Sequence, residues 1–165
     1  MKGYRAVAVG ILCIPLALFF GWKFFESWWF LRIVPANIGV SYPITISGIT
    51  GFREGCGIAV FRIDSSTARK ISADGISFFT SSMHSRKSAD PYHTFSPWQR
   101  TPDARFAGDD QTILSPGVVC AEIDLELQQQ LEAASRRPGS YYSYGQEKVL
   151  LVMPQQRLVV LSYNG

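Results

Sequence analysis

Residues 6–22 read AVAVGILCIPLALFFGW, seventeen positions without a charge, with Lys2 and Arg5 before them and Lys23 after. At 1.5 Å per residue a helix of that length reaches about 25 Å, a little short of a hydrocarbon core of roughly 30 Å. The flank makes up the difference. Trp22, Phe24, Phe25, Trp28, Trp29 and Phe30 form an aromatic girdle of the kind that settles at headgroup level, and Lys23 and Arg32 have stems long enough to snorkel. Pro15 would break a water-exposed helix but is tolerated in a membrane one.

Two other fates of this segment are less well matched. A buried core helix would carry neither a basic start nor an aromatic exit. A cleaved signal peptide needs small residues at the first and third positions before the cut, and no such pair follows the apolar run closely; Val34 with Ala36 fits but lies too far downstream. Cys13 follows Leu12 where a lipoprotein would have a small residue. The expectation is therefore a retained, single-pass anchor. A short positive stub, residues 1–5, stays in the cytoplasm, residues 6–31 contact the lipid bilayer, and residues 32–41 link them to an extracytoplasmic domain over 42–165. Neither Asn37 nor Asn164 opens an N-x-Ser/Thr site, which fits a bacterial inner membrane and periplasm.

The formal net charge of +3 belongs to the front of the chain. Of 16 Lys and Arg and 13 Asp and Glu, Lys2, Arg5, Lys23, Arg32 and Glu26 lie there, which leaves the remainder balanced. A nucleic-acid binder needs clustered cations to displace counterions from phosphates, so no nucleic-acid partner is expected. With 47% hydrophobic and 18% charged residues the remainder is a folded body rather than a disordered tail.

Within that body, YPITISGIT and GIAVFRI flank a glycine-rich GFREGC and read as a β-hairpin. Asp64 opens a short helix that Gly75 stops, and ISFF after it reads as a strand. Residues 80–116 show no lasting periodicity and carry four prolines, which makes them a long loop that either hides short elements or is a functional flap. Residues 117–123 return to a strand pattern. Asp124 then caps a helix with Leu127, Leu131 and Ala134 on one face, Arg136 and Arg137 in its last turn, and Pro138-Gly139 as its stop. KVLLVM and RLVVLSY, each with an unbroken apolar run at its centre, read as central strands buried on both faces around a Pro154 turn. The expected fold is α+β, a small mixed or antiparallel sheet covered by two helices.

Candidate functional residues are few. Cys56 and Cys120 are the cysteines outside the anchor, and an oxidising compartment would join them; two separate buried thiols are the alternative. His84, Asp90 and His93 have metal-ligand chemistry but match no standard spacing, so no metal site is assigned. No catalytic or cofactor-binding signature is present: Lys70 has Thr67, not serine, three residues before it, and there is no nucleophile elbow or phosphate loop. Tyr92, Phe95 and Trp98 recur every three residues beside Arg100, which makes them the candidate partner-binding patch; rings that only pin the loop are the alternative.

These residues lead to two expectations. The first is a non-catalytic binding or accessory module for another envelope protein. The second is a small envelope hydrolase using His84 or His93 with Asp90, Asp103, Asp109 or Asp110.

Overall fold

The computed structural model describes residues 2–50, 54–86 and 91–165, with the side chains of these described from Ile14 onward except at Thr50 and Pro91. The chain divides into two compact units, Met1–Arg32 and Ile33–Gly165.

The first unit is one helix, α1 (Lys2–Leu31), which continues through Pro15. Ile14, Leu18, Phe19, Phe20, Trp22, Phe24 and Trp29 are all exposed, between 53% and 75%. Near its end Lys23 pairs with Glu26 at 2.8 Å, and the Arg32 guanidinium lies 4.7 Å from the Trp28 ring centroid. Among the described residues no helix is long and apolar enough to cross a membrane. The side chains at 6–13, the first half of the run expected to span, lie outside the described residues.

The second unit is an α+β fold around a six-stranded sheet that is antiparallel throughout, in the order β1-β2-β6-β5-β4-β3. The strands are β1 (Val40–Thr50), β2 (Gly55–Ile63), β3 (Gln99–Arg100), β4 (Tyr141–Gly145), β5 (Lys148–Met153) and β6 (Leu158–Asn164). The hairpin expected from the two β-branched runs is β1 with β2, in register from Thr45↔Val60 to Thr50↔Gly55. β5 and β6 are the continuous apolar runs, and nearly every position of both is buried.

Because side chains alternate across a strand, such runs need cover on both faces. On one face Ile58, Val60, Leu151, Val160 and Tyr142 pack with Leu131 and Ala134 of α4 (Leu125–Arg136). The Asp124 side chain caps α4, accepting from the backbone N–H groups of Glu126 and Leu127. On the other face Phe61, Val159, Leu161 and Leu150 are buried as well. Phe79 is fully buried there, its ring 5.0 Å from Tyr141 and stacked at 4.3 Å on Trp98. α2 (Ser65–Asp74) adds buried Thr67, Ala68 and Ile71.

Three expectations change. Residues 76–79, apolar enough for a strand, belong to a 3-10 helix (Gly75–Ser81) whose tight turns deliver Phe79 to the core. Residues 117–123 form no strand but the short α3 (Ser115–Val118) and the turns after it. Gly117 explains this. A Cβ there would stand 2.1 Å from the Gly57 carbonyl oxygen, so only glycine lets this segment lie against β2. Ser162, on β6, accepts from Gly117 N and donates to Leu114 O, both at 3.0 Å. The third change concerns residues 32–41, which are not a free linker: Val34 and Ile38 are fully buried, and Arg86 donates to both their carbonyls.

Candidate functional site

The described residues of the stretch 80–116 form short elements in sequence. Phe95 bridges to Gly145, Gln99 and Arg100 pair with Tyr142 and Tyr141, and residues 83–85 fold back on 93–95 through the His84↔Thr94 bridge. This ladder decides what the candidate binding residues do. Phe95 is 4% and Trp98 8% exposed, and the Trp98 indole N–H donates to Ser82 O at 3.0 Å. Both rings are buried and hold the segment onto the sheet. Tyr92, at 39%, and Arg100 remain exposed. Tyr92 is also held: Lys148 Nζ donates to its carbonyl at 2.8 Å and lies 3.8 Å from its ring centroid, while its hydroxyl donates to Glu147 Oε2. Burial, then that carboxylate, raises the phenol above its ordinary value.

Among the described residues the hydrolase set does not converge. His84 pairs with Thr94 and Ser85 with His93, so alternation puts the two imidazoles on opposite sides of their ladder. His84 is exposed, and His93 is half-buried with Nδ1 unpartnered. Asp90 lies outside the described residues. Asp109 and Asp110 are exposed, and their main-chain carbonyls accept from Arg136. Among the described residues no cluster of His, Cys, Asp and Glu is arranged to hold a metal.

Asp103 is the candidate carboxylate with a built environment. It is 6% exposed, follows the cis Thr101–Pro102 peptide and accepts from Arg105 N at 3.0 Å, from Arg105 Nη2 at 2.7 Å and from the Tyr144 hydroxyl at 2.9 Å. The guanidinium also covers the Tyr144 ring at 4.4 Å. The hydrogen bonds from the Arg105 side chain hold this carboxyl well below the usual carboxylate range, against the opposing effect of burial. Burial, then the Asp103 charge, pushes the Tyr142 phenol up to about 12, and burial with the hydrogen bond to Asp103 raises Tyr144 as well. A cavity of about 250 Å³ adjoins the cluster, lined in part by Asp103, Phe106, Ile113 and Ser135.

Residue spacing singled out Asp103 only as one loop carboxylate among four. The alternation of Tyr142 and Tyr144 in YYSY would have placed both rings on one face, but nothing local ties them to Arg105. A carboxylate this fully occupied fastens residues 99–106 to β4 and has no free lone pair for acid–base work.

That fastening has a pH signature. The folded-state value is depressed, so as pH falls the unfolded chain takes up the proton first, near the ordinary value of about 4. The stabilisation is complete above that point and is lost progressively below it. Asp103→Asn is expected to cost about 2 kcal/mol at pH 7, under the ~3–5 of a fully buried pair, because Arg105 is 65% exposed. It should also flatten the acid limb of a Tm-against-pH curve, and an unchanged slope would refute the assignment.

The cystine is formed: Cys56, at the start of β2, is bonded to Cys120, just beyond α3, with Cα atoms 5.7 Å apart. The close approach of Gly117 to Gly57 brings the two within reach. No family model matches this chain, and neither the curated proteins nor the solved structures compared with it contain a match.

Proposed function

We propose that this chain is a single-pass protein of a bacterial inner membrane, its α+β body held in the periplasm as a non-catalytic binding or accessory module for another envelope protein. The observation that carries the reading is α1: a helix of 30 residues in a unit of its own, whose described half leaves phenylalanine and tryptophan rings exposed. Water makes that surface costly, at roughly 25 cal/mol per Å², whereas a bilayer with an aromatic interface accepts it. The cystine is in keeping with an oxidising compartment. An accessory role is favoured over the hydrolase because the two histidines face opposite ways and Asp103 is occupied. Anchoring serves such a module by raising its effective concentration beside partners in the same membrane.

Reporter fusions after Gly165 test the topology. Alkaline phosphatase is expected to be active there and green fluorescent protein dark, with the chain retained in the membrane pellet after carbonate washing. Cytosolic fluorescence, or release into the carbonate supernatant, would overturn the proposal.

A further inference from the structure

The two edges of the sheet are built differently. At the β3 edge the strand is only Gln99–Arg100, Arg100 is exposed, and the neighbouring residues 93–95 are overlaid by the 83–85 ladder. Short length, a charged side chain and a covering segment are the devices that keep an edge from pairing. The β1 edge has few of them. It runs for eleven residues, and its one strand neighbour is β2. Among the described residues no main-chain group outside the hairpin bonds to the main chain of Val40–Thr50; the one backbone donor that reaches the strand, Glu122 N, bonds to the Ser47 hydroxyl at 2.8 Å and leaves the outer N–H and C=O groups unpaired. Pro43 and two register breaks interrupt its first half, but from Thr45 to Thr50 the register is unbroken. Residues 33–52 contain no Asp, Glu, Lys, Arg or His. Ile44 and Ile49 are 37% and 68% exposed.

We propose that residues 45–50 are a docking edge for the same segment of a second copy of this chain, paired antiparallel about a two-fold axis so that two six-stranded sheets become one. Three features point to a second copy. The edge is neutral, so pairing with itself sets no like charges opposite one another, the penalty any charged edge would incur. The sequence TISGIT supplies β-branched residues that suit cross-strand pairing. Each copy has one open edge and one protected edge, so association closes at two and leaves nothing to propagate.

The test uses the full chain in mild detergent, by sedimentation across a concentration series, with hydrogen exchange read at residues 45–50. A monomer–dimer equilibrium is expected, with these amides protected as dimer forms and exposed on dilution. Ile49→Lys replaces a side chain that is already largely in solvent. It is expected to keep the wild-type Tm while weakening self-association by roughly tenfold or more, since two like charges then meet in the joint. A wild-type monomer at every concentration would overturn the proposal. So would a dimer that withstands Ile49→Lys or forms without protecting residues 45–50, because it would use another surface such as α1. None of these outcomes bears on the membrane topology, which the fusions read separately.

Discussion

Loss of the Cys56–Cys120 bridge, by reduction or by replacing both cysteines with serine, is expected to destabilise the body by about 4 kcal/mol on the loop-entropy model. The bond closes a separation of 64 residues, and that length sets the magnitude. For a body of this size the loss corresponds to a fall in Tm of roughly 10–15 °C. The mechanism acts on the unfolded chain, whose freedom the cross-link restricts, so the folded contacts of α3 with β2 should survive in the variant at low temperature. Differential scanning calorimetry with and without reductant measures the shift, and non-reducing mass analysis confirms the bond. A double-serine chain that melts with the wild type would show that the cystine contributes nothing to the fold.

Replacement of Trp98 by alanine is expected to cost about 4 kcal/mol, in the range for truncating a large buried aromatic. The side chain is 8% exposed, it stacks on Phe79, and its N–H satisfies the Ser82 carbonyl. Truncation leaves a void beside Phe79 and an acceptor without its donor. Against a typical total of 5–15 kcal/mol this is a large share. Arg100→Ala, at an exposed position, should change stability by no more than about 0.5 kcal/mol. Urea denaturation of the two variants separates the roles. If Trp98→Ala left the midpoint in place, the ring would belong to a binding surface after all.

The contrast between those residues shows what was legible in the sequence. Where one face of an element makes a local pattern, the pattern was enough. KVLLVM and RLVVLSY could only be strands covered on both sides, and Asp124, Leu131 and Pro138-Gly139 mark both ends and the buried face of α4. Asp64 marks the start of α2 as expected, although its carboxylate accepts from Ser41 Oγ and does not cap the helix. The pattern was insufficient where long-range packing chose among local options. ISFF and GVVC have strand composition, yet Phe79 was needed on the far face and Gly117 had to lie against the Gly57 carbonyl, so both became tight helical turns. The Tyr92, Phe95 and Trp98 spacing was visible, but not which way each ring turned; the bridges to β4 decide that. The Asp103 cluster joins residues about forty positions apart, so no window along the chain contains it.

The place of β6 sets an order of assembly. It is the last of the six strands to be synthesised and it stands between β2 and β5, with Cys56 opposite Asn164 and Lys148 opposite Tyr163. Until it arrives, the β1–β2 hairpin and the β3–β4–β5 half have no shared hydrogen bond between their strands. Each half must wait with its inner border uncovered, and that delay is the interval in which a chaperone, or attack of the Cys56 thiolate on a foreign disulfide to give a mixed disulfide with release of that disulfide's other thiol, would act on the nascent protein.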